Sequence, residues 1–353
     1  MTVFRPRLSW LLVLVPVSLV ADFVLHQDLV AFLSAAGAIL PLAALIGKST
    51  EELAIHAGPR MGGFLNATFG NVTELIIAIF LVLEGELEVV KASLTGSILG
   101  NLLFVLGLSF LFGGLRHQEQ QFNAQSAGVH ATSLGLAVTG LLMPALFVLT
   151  TGQHSFFQRE VVSGTVAGIL MALYAGALIF TMVTHQHLFH APTEGEEAHW
   201  SRRKALVVLV ASTAVVALEA ELLVSTLEPA LSELGLSKFF VGLILVPIIG
   251  NAAEHGAAVV FAARNKMDIT LEIAIGSSTQ IALFVAPALV FISLAVGHPM
   301  DFIFSTFEVA AVGLATILMQ FIAHDGRSNW LEGGQLLGAY AIIAISFFFV
   351  RSI

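Results

Sequence analysis

The sequence predicts an all-α polytopic membrane protein with 11 transmembrane helices, in which one N-terminal helix precedes two inverted five-helix repeats. The first observation behind this prediction is composition, because only 11% of the 353 residues are charged and 57% are hydrophobic. Soluble proteins carry about 25% charged residues, and the mean hydropathy here is +0.92. The second observation is the length of the apolar runs, and the third is a duplicated motif.

The apolar runs are long enough, at roughly 20 residues each, to cross a hydrocarbon core about 30 Å thick. They are continuously apolar rather than alternating, which favours helices over the strands of a β-barrel. The first run follows Arg5 and Arg7 and could be a signal peptide, but no A-x-A-like cleavage site follows it, so we interpret it as a helix. The predicted spans cover residues 8–26, 28–47, 61–83, 89–113, 127–150, 160–184, 204–227, 237–263, 268–297, 302–323 and 331–350.

The charge balance indicates which partners suit the chain and how it lies in the bilayer. A formal net charge of −9 argues against a nucleic-acid surface, which needs a basic footprint, and suits a protein that handles cations. With no cysteine, the chain offers no disulfide framework. With the N-terminus in the cytoplasm and the C-terminus outside, 11 basic residues lie on the inner side and four on the outer side, as the positive-inside rule favours.

A duplicated motif divides the chain. Gly-Asn-x-x-Glu occurs at residues 70–74 and again at 250–254, and Gly-Ser follows at 96–97 and 276–277, so both elements share an offset of 180 residues. Each copy holds five predicted spans, and an odd number inverts the second copy in the membrane, as in secondary transporters. The predicted division is an extra helix at 1–27, a first repeat at 28–184, an acidic cytoplasmic linker at 185–203 and a second repeat at 204–353, with the duplicated segments at about 61–113 and 237–297.

The motif supplies a candidate cation site. Glu74 and Glu254 lie within predicted spans, where a carboxylate costs about 2.5 to 3.5 kcal/mol and is rarely left facing lipid. Asn71 and Asn251 lie three residues earlier on the same helix faces. The helices that follow add oxygen-bearing side chains at Ser97, Asn101, Ser277 and Gln280.

These groups favour a hard cation such as Ca²⁺, which accepts six to eight oxygen ligands. Two buried acids give a charge of −2, which one divalent ion or two protons cancel. A buried carboxylate without a counter-charge is costly, so the empty, doubly ionised site is disfavoured during crossing. We therefore expect Ca²⁺ and H⁺ to compete for the same oxygens and to exchange across the bilayer.

The segments from Gly70 to Asn101 and from Gly250 to Gln280 resemble the two α-repeats of the Ca²⁺/H⁺ antiporter (CAX) family, and the resemblance covers nearly the whole chain. It implies an antiporter of the cell (inner) membrane that exports cytosolic Ca²⁺ in exchange for H⁺, with no cofactor. It also implies that the first two helices of each five-helix repeat slide over a more static core. Glu74 and Glu254 would carry Ca²⁺ and protons.

The resemblance further implies auxiliary roles for the two asparagines, for Ser97 and Ser277, and for Asn101 and Gln280. Gln280 ranks above Asn101, because it stands 26 residues after Glu254 whereas Asn101 stands 27 after Glu74, so the two need not be symmetry mates. Sodium-driven relatives are expected to place another acid on the second α-repeat helix. The neutral Ser277 and Gln280 here favour proton coupling.

Several readings stay open at this point. Glu51 and Glu52 are candidates for a gate or simply a solvated helix end, and Glu272 is a candidate for the cytoplasmic path. Glu194, Glu196 and Glu197 in the linker could sense Ca²⁺ or form a plain polar connection. A Na⁺-driven or Mn²⁺-selective exchanger is the alternative function. An intramembrane enzyme is disfavoured, because the chain has no cysteine nucleophile, no H-E-x-x-H and no G-x-S-x-G motif.

Overall fold

The computed structural model describes residues 6–151, 155–185 and 198–349, and these fold almost entirely into helices. Two strands of two residues each, β1 (Gln120–Gln121) and β2 (Arg327–Ser328), pair in antiparallel orientation. The helices are α1 (residues 6–25), α2 (Asp28–Ala57), α3 (Pro59–Phe69), α4 (Val72–Leu83), α5 (Leu87–Gly114), α6 (Ala124–Thr151), α7 (Phe156–Thr184), α8 (Arg202–Ser225), α9 (Leu227–Leu234), α10 (Lys238–Ala262), α11 (Met267–Val296), α12 (Thr306–Ala323) and α13 (Trp330–Phe349).

The helices have the length and composition of a polytopic membrane protein. Within the described part of the chain, nine are long and apolar enough to cross a bilayer, namely α2, α5, α6, α7, α8, α10, α11, α12 and α13. Two shorter apolar helices accompany them, Trp10–Leu25 within α1 and all of α4. A helical bundle suits lipid because each helix satisfies its own backbone hydrogen bonds. The predicted class, a nearly all-helical multi-span membrane protein, is confirmed.

Two predicted spans have different bounds in the structure. The span predicted at 28–47 continues as helix to Ala57, because residues such as Lys48, Glu51 and Glu52 favour helix although they are polar. It ends where Gly58 adopts a φ of 84°, directly before Pro59.

The span predicted at 61–83 is broken into α3 and α4 at Gly70 and Asn71, where Asn71 has a φ of −103° and a ψ of 20°. The equivalent Gly250 and Asn251 lie inside the unbroken α10. The two copies therefore share a sequence motif but not a backbone conformation.

The first helices of the two repeats share a small core of their own. Leu42 and Ile46 of α2 pack with Leu209 and Val216 of α8 in a small cluster, while other residues of both helices, such as Ile39 and Ala220, belong to the large core. The N-terminal helix α1 belongs to the same group. On α1 the fully buried Ser18 hydroxyl donates a hydrogen bond of 3.0 Å to the Glu219 carboxylate of α8, and Glu219 is also fully buried.

Candidate ion-binding site

The two repeats meet at Glu74 and Glu254. Glu74 lies in the first turn of α4, just after the break at Asn71, and Glu254 lies in the middle of α10. A helix N-terminus favours an anion, so the break places the Glu74 carboxylate where the α4 dipole stabilises its charge. Both glutamates are half-buried, and each lies next to the motif glycine of the opposite repeat.

The first half of the site surrounds Glu74 with groups from both repeats. Its Oε1 accepts hydrogen bonds from the Ser97 hydroxyl of α5 and from the Asn251 side-chain amide of α10. The same amide nitrogen lies 3.1 Å from the carbonyl oxygen of Pro247 and 3.4 Å from the Ser97 hydroxyl oxygen. Asn251 therefore joins the glutamate of the first repeat to the backbone of the second.

The second half has the mirrored composition. Asn71 of the first repeat accepts a hydrogen bond of 2.7 Å from the Ser277 hydroxyl of α11 and donates one of 2.8 Å to Gln280 Oε1. Each asparagine thus contacts the serine of the opposite repeat.

Two glycines let the halves approach each other. A Cβ atom on Gly250 would lie 2.9 Å from Cγ of Glu74, and one on Gly70 would lie 3.8 Å from Oε1 of Glu254 and 3.6 Å from Oε1 of Gln280. Each motif glycine therefore faces the glutamate of the opposite repeat. The missing side chain makes room for that close approach.

The site retains free acceptor atoms. Among the described residues, no group donates a hydrogen bond to Oε2 of Glu74 or to Oε2 of Glu254, although both atoms are buried. A buried carboxylate oxygen without a partner is costly unless a cation or a proton satisfies it. The arrangement can therefore bind a cation between two carboxylates lined by hydroxyl and amide oxygens.

Asn101 takes a different place from the other predicted ligands. Its side-chain oxygen lies 3.0 Å from Nε2 of His255, the residue next to Glu254. Asn101 lies in a π-helical turn of α5, Gly100–Val105, and such a turn changes the direction of the side chains that follow. Gln280, by contrast, bonds Asn71 directly. The structure brings Gln280 into the central group and sets Asn101 beside it.

The predicted gate residues Glu51 and Glu52 differ sharply in environment. The buried Glu52 carboxylate accepts a hydrogen bond of 2.9 Å from the Trp200 backbone N–H and lies 3.1 Å from the Lys48 ammonium. His56 adds a hydrogen bond of 2.7 Å to the Trp200 carbonyl. This network fastens the end of the linker, just before α8, to the end of α2. The Glu51 side chain is 58% exposed and lies 4.0 Å from Lys48.

Glu52→Ala is therefore expected to destabilise the protein by about 1–3 kcal/mol, because it leaves the Trp200 N–H without its acceptor and the Lys48 ammonium with only the more distant Glu51 carboxylate. Glu51→Ala is the matched control, since it removes the same chemical group one residue away from an exposed position, and we expect a change of less than about 0.5 kcal/mol. Thermal unfolding of the purified variants in detergent measures both. Equal destabilisation by the two changes would contradict an anchoring role for Glu52.

The remaining predicted residues lie farther from the glutamates. Glu272 of α11 forms an ion pair of 3.0 Å with His130 of α6, and its side chain is 58% exposed. This places it beside the central helices but outside the group that surrounds Glu74 and Glu254. The linker acids Glu194, Glu196 and Glu197 lie outside the described residues.

The structure also shows ion pairs that the sequence pattern did not single out. Lys238, at the start of α10, lies 2.8 Å from Glu86 and also contacts Glu228 of α9. The hydrogen bond from the Lys238 ammonium lowers the pKa of the exposed Glu228 carboxyl. At the same end of the bundle, Lys91 contacts Asp301. No local signal in the sequence marks these pairs, because Lys238 and Glu86 are separated by 152 residues.

Comparison with known proteins identifies the relatives of this chain. The family model described as "Sodium/calcium exchanger protein" matches residues 28–183 and 204–349. A Ca²⁺/H⁺ antiporter of Synechocystis sp. is 45% identical over 96% of both chains. One of Aphanothece halophytica is 43% identical over 96% of this chain and 95% of the relative. The structure of native YfkE matches with a TM-score of 0.84 and 40% identity, covering 96% of this chain and all of that one.

Proposed function

Because the chain belongs to the family of sodium/calcium exchanger proteins, we propose that it is a secondary antiporter that exports cytosolic Ca²⁺ in exchange for H⁺. The relatives from Aphanothece halophytica and Synechocystis sp. carry the name Ca²⁺/H⁺ antiporter. The observation that carries the proposal is the meeting of Glu74 and Glu254 from inverted repeats in one oxygen-lined site. Ca²⁺ and H⁺ are its partners, within the lipid bilayer.

The charge of this site explains the coupling. Two carboxylates supply two negative charges, and either one Ca²⁺ or two protons neutralise them. The ionised site without a counter-ion is costly in a low-dielectric interior, so it crosses the bilayer only when neutralised. Loading Ca²⁺ on one side and protons on the other then produces opposite net movements of the two ions.

Side-chain chemistry supports the ligand assignment. Asn71, Asn251, Ser97, Ser277 and Gln280 offer neutral oxygens around the glutamates, and Asn101 offers another beside His255. Ca²⁺ accepts six to eight such oxygens in flexible arrangements. No additional carboxylate stands at Ser277 or Gln280, which supports protons rather than Na⁺ as the coupling ion.

The membrane arrangement completes the proposal. The nine long helices, together with α1 and the α3–α4 pair, would make 11 crossings in the cell membrane. The distribution of basic residues supports a cytoplasmic N-terminus, a cytoplasmic linker and an outer C-terminus. We expect the first two helices of each repeat to slide over a more static core during alternating access, and the small cluster that joins α2 to α8 supports movement of these two helices together. Glu51 and Glu272 then border the cytoplasmic path.

Ca²⁺ uptake into inside-out vesicles tests the function. With an acidic vesicle interior we expect uptake that stops when a protonophore collapses the pH gradient. With equal pH on both sides and Na⁺ loaded inside, we expect no uptake. Uptake driven equally well by the Na⁺ gradient would favour the sodium-driven alternative, and preference for Mn²⁺ in competition would favour the manganese-selective one.

A further inference from the structure

The two inverted copies differ in the exposure of the residues that precede each glutamate. On α3 in the first copy, Met61 is 55% exposed, whereas its equivalent on α10, Val241, is fully buried. Asn66 on α3 is likewise exposed, and its equivalent Val246 is buried. The described residues therefore leave α3 less covered, at the end of the bundle where Glu52 bonds Trp200, than the N-terminal half of α10. We interpret this as a site that is open along α3 and closed along the N-terminal half of α10.

Two glycines allow α5 and α10 to pack closely at the closed end of the site. A Cβ atom on Gly96 of α5 would lie 1.9 Å from the carbonyl oxygen of Leu243 on α10, and one on Gly242 of α10 would lie 2.9 Å from Cβ of Ala92. The two backbones can touch here only because neither glycine has a side chain. We call this contact between α5 and α10 the first glycine seal.

The equivalent positions of the inverted copy are also glycines, but the contact is absent. Gly276 on α11 and Gly62 on α3 each stand 180 residues from a glycine of the first seal. Among the described residues, a Cβ atom on Gly276 would meet only the Glu272 side chain, at 3.3 Å. One on Gly62 would meet Ala54 of α2, at 2.9 Å from its carbonyl oxygen. In this conformation α3 therefore packs on α2 through Gly62.

We propose that Gly276 and Gly62 form a second glycine seal, which closes the site along α3 when the opposite end opens. This rests on the alternating access of the proposed function. Inverted repeats exchange access when each copy takes the arrangement that the other shows. In the exchanged state α3 lies against α11 as α10 now lies against α5. Gly276 and Gly62 are positioning residues, since they act through helix approach and not by touching the ion.

The proposal assigns a further movement to Glu272. Its Oε1 atom now covers Gly276, while its carboxylate pairs with His130. Where the first seal has the small Ala92, the second has this long side chain. Closure of α3 therefore requires the Glu272 carboxylate to move away from Gly276.

Two matched substitutions test the second seal. Gly276→Ala fits the present conformation, because the neighbouring atom is the far end of a flexible side chain, but it obstructs approach of α3. Gly96→Ala does the opposite, because the present conformation brings the Leu243 carbonyl to that position. Gly168→Ala on α7 is the control, since no atom lies within 4 Å of its added Cβ.

Reporter cysteines reveal which end is open, and the natural chain contains no cysteine that would interfere. Asn66→Cys reports on α3 and Val246→Cys on α10, each introduced separately into the three glycine variants and the natural chain. The rate of modification by a water-soluble thiol reagent is measured in proteoliposomes permeable to the reagent. Ca²⁺ uptake under a pH gradient is measured on the glycine variants without reporters.

We expect Gly276→Ala to keep Asn66→Cys reactive and Val246→Cys protected, while Ca²⁺ uptake falls roughly tenfold. Gly96→Ala should protect Asn66→Cys and expose Val246→Cys, and Gly168→Ala should behave as the natural chain. Uptake by Gly276→Ala equal to that by Gly168→Ala would overturn the second seal, whether or not Gly96→Ala folds. Absence of uptake by the natural chain would instead contradict the proposed function, while the cysteine rates would still show which end each glycine closes.

Discussion

Glu74→Gln and Glu254→Gln are each expected to abolish Ca²⁺/H⁺ exchange. Either change leaves one negative charge at a site that must hold a divalent ion, so the Ca²⁺ complex keeps an uncompensated positive charge in the low-dielectric interior. Loss of a buried charged ligand costs about 3 kcal/mol or more, which corresponds to a fall in transport of about 100-fold or more. Initial rates of Ca²⁺ uptake into vesicles under an imposed pH gradient measure this loss.

Glu228→Gln provides the matched control. It makes the same chemical change on α9, where the carboxylate is 65% exposed and paired with Lys238, away from the groups that surround Glu74 and Glu254. We expect its uptake to stay within about twofold of the natural chain, because exposed ion pairs contribute little. Full transport by either site variant would remove the basis of the two-carboxylate mechanism.

The mirrored geometry adds a second expectation to this experiment. Glu74 accepts hydrogen bonds from Ser97 of its own repeat and Asn251 of the other, and the equivalent Ser277 and Asn71 bond each other across the repeats, so both repeats contribute to each half of the site. The two variants should therefore fail to similar degrees. A strong difference between their uptake rates would mean that one repeat supplies most of the Ca²⁺ binding.

The approach of Glu74 to Glu254 was predictable from the sequence for a simple physical reason. A motif repeated at a fixed offset, with an odd number of spans in each copy, gives two equal structures of opposite orientation. Acids at equivalent mid-span positions then face each other across the interface of the copies. The cost of an unpaired carboxylate in lipid further restricts them to the protein interior.

The break between α3 and α4 could not be predicted in the same way. Gly70–Asn71 and Gly250–Asn251 have the same local propensities, yet only the first pair interrupts a helix. The difference arises from packing, since Gly250 is buried against Glu74 whereas Gly70 is exposed. The residues that follow also differ, since the β-branched Val72 and Thr73 favour helix less than Ala252 and Ala253 do.

Long-range polar contacts could not be predicted from the sequence either. Glu52 was a candidate for a gate because it ends a span, but its hydrogen bond to Trp200 joins residues 148 positions apart. Charge patterns along the chain carry no signal for a partner at that distance. The same applies to Ser18 and Glu219, whose contact docks α1 onto α8.

Asn251→Ala is expected to reduce Ca²⁺ transport by about tenfold or more. The change removes the amide that donates to Glu74 Oε1, and a hydrogen bond to a charged group contributes about 1.5–3 kcal/mol. Ser97 remains as a donor to the same oxygen, so the loss should be smaller than that caused by Glu74→Gln. Initial uptake rates over a range of Ca²⁺ concentrations separate weaker binding from slower turnover.

Asn101→Ala is the informative comparison, because it removes the same side chain from the adjacent helix α5. Asn101 contacts His255 and neither glutamate, so its replacement should reduce uptake less than Asn251→Ala does. Thermal unfolding in detergent checks that both variants fold equally well. If Asn101→Ala caused the larger loss, Asn101 would have to approach the ion during the cycle, and the grouping of Glu74 with Ser97 and Asn251 would describe only one conformation of the site.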